Sequence, residues 1–558
     1  AAGLARGAAR PPPAWRALSA IPPGPKKPQV DARTGGPDGP TASSQRHLVA
    51  AETKFLDSPF QARVFDVFKL LNFSKSELTT VFERLDANGN GIVERDELDA
   101  YLREACERDD QEACMTERER DAFCDEFMRR FKADGPHASV TREQFDKVIL
   151  EMAHTVDPRV WPITASMVLT GTAIGVIIPV MPLFVKELGL SSSDFGMVVS
   201  AFAFSKLIGN IPCAFLADKH GRKPVMAVGM GLISLGMGLL GFADSFADLV
   251  GCRLVTGLGA SAFTTAATLY LMDIGTPFTR TKTMAPISAG FSAGAAIGPA
   301  MGGFLATQLG LRYTFFLVGA IFAGAMALNS RVLSETLRGS DMSKKGGLQS
   351  ELKATAAQWR PLLSERMFRS VLGMNIVYWM ALSGSYMTLL PMMLVSEDFG
   401  LTPAEIGGIF AMTSAVNVVC TQPAAWVADR FGKTLAIGVS TGVVAGSMFG
   451  FPLATTLPPA LAVLAAWSMG GTMFGMAPTA LVADVVPPAN RSQALALLRT
   501  TGDIGLLVGA TLTGMAAEVT SQGTAMQLNA GALLLTGIWF QLACRQGIPF
   551  ATGASKRL

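Results

Sequence analysis

Charged residues are scarce in this chain, and their scarcity is uneven. Only 16% of the 558 residues are Asp, Glu, Lys or Arg, whereas soluble domains contain about a quarter. Residues 1–160 are polar, and most of 161–545 consists of Gly, Ala, Leu, Val and Met. The composition therefore predicts an all-α membrane protein whose membrane part, embedded in the lipid bilayer, follows a soluble N-terminal extension.

Several other features are missing, and each absence narrows the function. The net charge of +3 is too small to indicate a nucleic-acid partner. The seven cysteines form no CxxC pair, so we expect reduced thiols and neither a disulfide framework nor a zinc site. No nucleophile–base pattern or phosphate-binding loop stands out, which argues against an enzyme.

The first 30 residues contain five basic residues and no acidic one. No methionine opens the chain, which indicates a fragment or a processed form. A basic, acid-poor start is typical of an organellar transit peptide, and a disordered Pro-rich tail of a plasma-membrane protein has the same composition. Residues 1–50 are predicted to be one or the other, which leaves plasma membrane and organelle envelope both open.

Apolar stretches of about 20 residues, the length a helix needs to cross the hydrocarbon, recur through the second part of the chain. Six fall within 161–331 and six within 368–545, and a charged linker, 332–367, separates these two bundles. The twelve predicted spans are at about 161–184, 195–217, 225–243, 249–271, 284–306, 313–331, 369–394, 404–427, 434–452, 459–482, 492–517 and 526–544.

Lysine and arginine are concentrated in the linker and in every second loop. The basic loop residues are Lys219, Arg222, Lys223, Arg280, Lys282, Arg430, Lys433 and Arg491. The other loops hold little beyond Lys186 and Arg312, and the loop after the seventh span is acidic (Glu397, Asp398). The positive-inside rule therefore predicts that both termini lie on the cytoplasmic side, or on the matrix or stromal side of an organelle.

The two bundles repeat at a shift of 211 residues without a gap. The matches include Asp218 with Asp429, Gly221 with Gly432, Pro212 with Pro423, Asp273 with Asp484, Pro277 with Pro488, Arg280 with Arg491, Gly294 with Gly505, Gly298 with Gly509 and Gly303 with Gly514. Chance does not explain a shared Asp–Pro–Arg spacing in loops. Two parallel six-helix repeats around a central site are a secondary-transporter architecture.

The loop after the second span reads Ala-Phe-Leu-Ala-Asp-Lys-His-Gly-Arg-Lys from Ala214 to Lys223. It resembles the GxLaDrxGrk signature of the major facilitator superfamily, with Ala214 replacing the first glycine. A weaker copy follows the eighth span. Such charges can bridge the two halves and bias one conformation; otherwise they only set topology. We interpret them as gating residues: Asp218, Gly221, Arg222, Lys223, Asp429, Arg430 and Gly432.

Two spans carry further resemblances to this superfamily. Arg253 opens Arg-Leu-Val-Thr-Gly-Leu-Gly in the fourth span, similar to RxxqGxG. A charge inside a span is costly and by default functional, so Arg253 is a candidate for coupling or substrate contact; a snorkelling arginine near the helix start is the alternative. The fifth span is similar to the gxxxGPxxGG signature of antiporters that export drugs and solutes, and the first span is also similar to that branch. The resemblance implies efflux by proton exchange, whereas generic small-residue packing is the alternative. The residues of the fifth span are Gly290, Gly294, Gly298, Pro299, Gly302 and Gly303.

Ionisable residues inside spans are the candidates for coupling. Lys206 and Asp503 are the least explained by loops or by the repeat, which places Asn417 and Ser292 at their equivalent positions. Arg499 precedes Asp503 by one helical turn, so the two can pair. A structural role for Asp503 is the competing interpretation. Further candidates for polar or aromatic contact are Asn210, Asn375, Tyr378, Trp379, Asn417 and Gln422.

A twelve-residue loop, 86–97, carries the pattern of an EF-hand calcium site. Oxygen donors occupy the required positions, with Gly91 at the sharp turn. The predicted Ca²⁺ ligands are Asp86, Asn88, Asn90, the backbone carbonyl of Ile92, Glu94 and Glu97. Aligning Val140 with Val93 predicts a degenerate second hand at about 133–144, with Ala133 and Gln144 at its terminal ligand positions. The EF-hand domain is predicted to cover 51–155.

These features predict a twelve-helix transporter of the major facilitator type, regulated by Ca²⁺. The resemblance implies that it is a proton-coupled antiporter that exports a small solute by alternating access. The calcium domain is expected to contact the chain's own linker or a partner protein. A sodium- or substrate-driven uptake carrier is an alternative within transport. A calcium-responsive membrane scaffold that does not transport is the alternative from another class.

Overall fold

The computed structural model describes residues 60–70, 73–107, 116–131, 139–336, 348–396, 399–486 and 490–547. Several predicted features lie outside these ranges: the segment 1–50, the first half of the degenerate loop with Ala133, part of the linker, the acidic pair Glu397 and Asp398, and Pro488.

The N-terminal part contains two helix–loop–helix units that share one buried core rich in phenylalanine. Its elements are α1 Phe60–Val67, α2 Lys75–Leu85, β1 Ile92–Glu94, α3 Arg95–Glu107, α4 Glu117–Arg130, β2 Ser139–Thr141 and α5 Arg142–His154. The short strands pair antiparallel, with Val93 opposite Val140 and both side chains fully buried. Capping boxes begin α2, α4 and α5, so their first turns have satisfied backbone donors.

The membrane part consists of two bundles, each with its own buried apolar core. The first contains α6 Val160–Glu187, α7 Ser192–His220, α8 Arg222–Leu240, α9 Phe246–Ile274, α10 Arg280–Leu309 and α11 Leu311–Val332. The second contains α13 Arg366–Ala381, α14 Leu390–Val395, α15 Pro403–Phe431, α16 Lys433–Gly450, α17 Leu457–Val485, α18 Arg491–Val519 and α19 Gln522–Gly547.

Eleven helices among the described residues are long and apolar enough to cross a membrane, and they coincide with the first eleven predicted spans. One of them, Arg366–Val395, joins α13 and α14 through the π-helical segment Leu382–Leu389. The helix α19 covers the twelfth predicted span. Its glutamine and asparagine side chains reduce its apolar character, and its crossing of the membrane stays a prediction.

The linker contains a helix that the sequence analysis did not foresee. This helix, α12 Leu348–Ser364, packs against α7 of the first bundle and α18 of the second. Its Trp359 indole donates a hydrogen bond to Gln493 at 3.2 Å, and Leu362 is buried. The described part of the linker is therefore an ordered contact between bundles rather than a simple connection.

Candidate functional site

The glycines of α10 form a flat surface on which α6 packs closely. A Cβ atom on Gly294 would collide with the Val168 carbonyl oxygen, and one on Gly298 would lie 2.5 Å from that of Thr172. A Cβ on Gly290 or Gly302 would likewise lie 2.9 or 2.7 Å from the backbone of α6. The Pro299 ring lies against Gly175. Close packing of two helices is therefore what this motif provides in the structure.

The bundles meet at two crossings that the 211-residue repeat relates to each other. At the α7–α18 crossing, a Cβ on Gly514 would lie 2.7 Å from the Ser192 carbonyl oxygen. At the α10–α15 crossing, the equivalent Gly303 approaches the carbonyl of Pro403, the residue equivalent to Ser192. The same backbone contact is thus made twice, as expected for two repeats related by a pseudo-two-fold axis.

An ion pair inside the membrane part joins the bundles at the α7–α18 crossing. Lys206 of α7 lies with its Nζ 2.6 Å from Oδ1 of Asp503 in α18. Asn210 donates to the other carboxylate oxygen at 3.2 Å and accepts a hydrogen bond from Ser261 at 2.8 Å. The Asp503 side chain is only 9% exposed, so its charge depends on these partners.

The other crossing carries no such pair at its equivalent positions, because Asn417 and Ser292 are uncharged. Asn417 accepts a hydrogen bond from Thr472 at 2.8 Å, and Thr472 is the repeat equivalent of Ser261. Asn417 thus turns inward to its own bundle at the position where Lys206 in the first bundle pairs across to the second.

The predicted pairing of Arg499 with Asp503 is wrong. Arg499 is exposed, and Lys206 takes the carboxylate instead because α7 and α18 cross at this level. Asn375 has a packing role: it donates to the Leu498 carbonyl at 2.9 Å and to Thr501 at 3.0 Å, which ties α13 to α18.

The predicted gating residues of the first bundle form a compact ionic cluster. Arg222 is buried, with its guanidinium 2.8 Å from Asp218 and 3.0 Å from Asp273 at the end of α9. Glu335, after α11, accepts hydrogen bonds from the backbone N–H groups of Arg222 and Lys223 at 2.9 and 3.1 Å. These contacts tie α7, α8, α9 and the start of the linker together.

The second bundle repeats part of this cluster. Lys433 pairs with Asp484, and these residues are the repeat equivalents of Arg222 and Asp273. Gly221 and Gly432 both have positive φ, +106° and +93°, where a Cβ would be strained. Arg430 lies over the Trp426 ring at 5.5 Å, and Asp429 is exposed.

The loop 86–91 is organised by its own side-chain oxygens. Asp86 accepts hydrogen bonds from the N–H groups of Asn90 and Gly91 at 3.0 and 2.8 Å. Glu97 folds back over the loop and accepts from Asn88 and Glu94 at 3.2 and 3.1 Å. The oxygens of Asn88 and Asn90 also turn into the loop. These contacts hold side-chain oxygens around one short loop, and oxygen is the ligand type that a hard cation such as Ca²⁺ prefers.

The N-terminal part contacts the short connection between α9 and α10. Thr276 donates a buried hydrogen bond to the Ala153 carbonyl at 2.6 Å. Phe278 stacks on His154 at 4.5 Å between ring centroids and lies 6.2 Å from Phe73, just before α2. The contact therefore involves the residue that lies just before α2 and the last helix of the domain, α5.

The segment that leads into α6 is also anchored. Arg159 forms a buried ion pair with Asp157 at 2.8 Å and donates to the Ser334 hydroxyl at 3.0 Å. Ser334 belongs to the start of the linker, and its carbonyl accepts from Tyr270 of α9 at 2.8 Å. The connection between the two parts of the chain is thus held against α9 and the linker.

A sequence model described as Major Facilitator Superfamily matches residues 163–387 and 380–547, which is most of the membrane part. The chain belongs to the major facilitator superfamily. Members are transporters rather than enzymes, which agrees with the absence of a catalytic pattern in the sequence. The match begins after the N-terminal domain, so the loop 86–97 lies outside it.

Curated members of the superfamily resemble the chain to different extents. An uncharacterized MFS-type transporter of Methanocaldococcus jannaschii is 23% identical over 66% of this chain and 94% of its own length. Multidrug resistance protein 2 of Bacillus subtilis is 33% identical over 44% of the chain, and quinolone resistance protein NorA of Staphylococcus aureus is 29% identical over 42%. Each of these last two matches spans 60% of the relative.

Solved structures support the same fold at low sequence identity. A bacterial homolog of the human lysosomal transporter Spinster, in an inward-facing and unoccupied conformation, superposes with a TM-score of 0.60 at 18% identity. It covers 70% of this chain and 98% of its own. The nucleoside transporter NupG superposes with a TM-score of 0.53 at 14% identity, over 69% and 99% of the two chains.

Proposed function

We propose that this superfamily member is a proton-coupled antiporter that exports a small solute by alternating access. The observation that carries the proposal is the Lys206–Asp503 ion pair between the bundles. A carboxylate that alternates between a lysine partner and a proton changes the attraction between the bundles each time it titrates. The drug-resistance names of two relatives support export as the direction.

Protonation of Asp503 would release Lys206 and weaken the α7–α18 crossing, while the α10–α15 crossing, held by backbone contacts, would be unchanged. The bundles could then separate at the first crossing and reorient. Return to the starting conformation would require loss of the proton, because only the carboxylate attracts Lys206. One proton per cycle is the stoichiometry that a single such pair supports.

The test is pH-driven uptake of a fluorescent quinolone into liposomes that contain the purified protein and have an acidic lumen. Asp503→Asn should abolish accumulation against the gradient and leave equilibrium binding of the quinolone within a few-fold. Glu518→Gln is the matched control, since Glu518 is an exposed carboxylate on the same helix. Accumulation by Asp503→Asn at the wild-type rate would move the coupling role elsewhere, with Lys206 tested next.

The same assay separates the alternatives. A proton-coupled uptake symporter would accumulate the probe with the opposite pH gradient, and a sodium gradient would drive a sodium-coupled carrier. A uniporter would only equilibrate the probe, at a rate independent of either gradient. A membrane scaffold that does not transport would give no probe movement under any gradient while still binding Ca²⁺. We propose that both termini lie on the same side of the membrane as the basic loops. A protease added to that side should therefore cleave both an N-terminal tag and the linker.

We further propose that Ca²⁺ bound at Asp86–Glu97 regulates transport through the α9–α10 connection. The domain contacts this connection through Phe73 and His154 around Phe278. The helix α9 ends at the connection, and Asp273 in its last turn pairs with Arg222 of the gating cluster. Calcium that reorients α2 would therefore move a segment directly joined to the gate.

A further inference from the structure

The short helix α1 precedes the two helix–loop–helix units and belongs to neither of them. Large apolar side chains of α1 and of the residue after it recur at positions i, i+4, i+7 and i+8, and all four are at most 4% exposed. This spacing places them on one helix face, and it is the pattern with which an amphipathic helix fills an apolar groove. The four residues are Phe60, Val64, Val67 and Phe68.

The ring of Phe68 is inserted between helices of both units. It contacts Tyr101 of α3 at 5.9 Å between ring centroids. It also contacts Phe127 of α4 at 5.8 Å and Phe145 of α5 at 6.1 Å. The segment that contains α1 therefore fills a site that the two units build together.

Polar contacts fix the position of α1 on this site. Arg63 forms an ion pair with Glu126 of α4 at 2.9 Å, and the two side chains are only 10% and 21% exposed. Gln61 donates a hydrogen bond to the Met152 carbonyl of α5 at 2.7 Å. We call the covered surface the α1 site, and it consists of Tyr101, Glu126, Phe127, Phe145 and the Met152 carbonyl.

Contacts that do not involve α1 hold the two units together. The strands β1 and β2 pair with each other. Phe82 of α2 packs edge-on against Phe145 of α5 at 5.6 Å between ring centroids. Arg120 of α4 forms an ion pair with Asp99 of α3 at 2.6 Å. Departure of α1 would therefore expose an apolar site on a pair of units that stays assembled.

The backbone between α1 and α2 is strained at two residues. Lys69 and Phe73 have φ of +53° and +54°, a left-handed conformation that residues other than glycine rarely adopt. Phe65 of α1 packs edge-on against Phe73 at 4.8 Å between ring centroids. Phe73 in turn lies beside Phe278 of the α9–α10 connection. The helix α1 therefore supports Phe73 at the point where the domain contacts the transporter.

From these contacts we infer that α1 is a tethered ligand of the paired units, and that a second amphipathic helix with the same apolar spacing can replace it on the α1 site. Such a helix would also carry an arginine for Glu126. The eight residues of α1 are too few for a stable isolated helix, so its order depends on the site. Replacement of α1 would withdraw Phe65 from Phe73 and loosen the contact of Phe73 with Phe278.

Binding of a fluorescent peptide with the sequence of residues 58–70 to the full-length protein in nanodiscs tests this inference by anisotropy. Val64→Asp places a carboxylate on the buried face of α1 and leaves the α1 site intact. This variant should bind the peptide roughly tenfold or more tightly than the wild-type protein, where tethered α1 competes. Thr80→Asp, at an exposed position of α2, is the matched control and should bind like wild type. A peptide with Arg63→Glu should bind Val64→Asp roughly tenfold more weakly, because it repels Glu126.

A second measurement uses the wild-type protein alone, in case Val64→Asp does not fold. In hydrogen exchange, the amides of α1 and Phe73 should exchange together, roughly tenfold or more faster than those of α4 and α5. Equal protection of α1 and α4 would make α1 an integral part of the core and overturn the inference. Absence of peptide binding to folded Val64→Asp would also overturn it, and so would equal affinity of the two peptides. Neither readout requires transport or Ca²⁺, so their failure is distinct from failure of the proposed functions.

Discussion

Two glycines in neighbouring helices illustrate how much a single methyl group should matter in this fold. A Cβ on Gly294 would collide with the Val168 carbonyl, whereas a Cβ on Gly324 of α11 has no atom within 4 Å. We expect Gly294→Ala to force α10 away from α6 and to destabilise the protein by about 1–3 kcal/mol. Gly324→Ala should be neutral or slightly stabilising. Thermal unfolding, monitored by size-exclusion chromatography of heated samples, gives the melting temperature of each variant. Equal melting temperatures would contradict the packing role.

The ionic cluster at Arg222 makes a separate prediction. Asp218 and Asp273 both pair with this buried guanidinium, so removal of one carboxylate leaves the charge only partly compensated. Asp218→Asn should slow transport several-fold in reconstituted vesicles while expression stays near wild type. His220→Gln, an exposed change in the same loop, serves as the control. Wild-type transport rates in Asp218→Asn would exclude a gating role for this residue.

At this scale the sequence revealed which residues matter better than it revealed their partners. Lys206 and Asp503 stood out because the repeat replaces them by Asn417 and Ser292. Their contact spans two helices that are distant along the chain, and local spacing pointed to Arg499 instead. The signal that could have found this pair is that Lys206 and Asp503 are opposite charges inside spans and that neither has a charged equivalent in the repeat. Nothing in the sequence singled out Glu335, because its role depends on the start of the linker lying against the first residues of α8.

The helices on either side of the calcium loop give a prediction at the scale of elements. Glu97 folds over the loop through both of its carboxylate oxygens. Glu97→Gln should therefore largely abolish calcium binding in calorimetry, where the wild-type loop should bind at roughly 10⁻⁷ to 10⁻⁵ M. Glu143→Gln, at an exposed position of α5, is the matched control. Retained binding in Glu97→Gln would mean that the site is not an EF-hand of this type.

The α9–α10 connection should pass the effect of calcium to the transporter. Phe278→Ala removes the ring held by Phe73 and His154, and we expect it to leave calcium affinity intact while transport no longer differs between calcium and chelator. The control is Phe242→Ala, which removes an exposed aromatic ring from the connection between α8 and α9, at the other end of α9. This variant should preserve regulation. Equal transport by the wild-type protein with calcium and with chelator would make the domain structural.

Elements with a strong local pattern were predictable from the sequence, and those that depend on neighbours were not. The strand register places Val93 opposite Val140, the pair from which the second hand was aligned. The helix α12 was missed because its residues 348–364 are polar enough to be interpreted as a connection, and its order comes from packing on α7 and α18. The π-helical segment Leu382–Leu389 was also missed, since π turns have no distinct apolar period.

The two crossings together predict how the whole molecule should respond to a covalent tie. The hydroxyls of Ser200 in α7 and Thr511 in α18 lie 2.7 Å apart. Cysteines at both positions should form a disulfide on mild oxidation and stop transport, because alternating access requires this crossing to separate. Reductant should restore transport. Each single-cysteine variant is a control, and full transport by the cross-linked protein would exclude separation at this level.

The attachment of the N-terminal domain to the α9–α10 connection has a consequence that runs in the opposite direction. If calcium favours one orientation of the bundles, then a solute that favours the same orientation must tighten calcium binding by an equal factor. The amount of solute on one side of the membrane would thereby set how much calcium the domain holds at a given concentration. Through Thr276 and Phe278, the calcium occupancy of the N-terminal domain would then report the concentration of the transported solute.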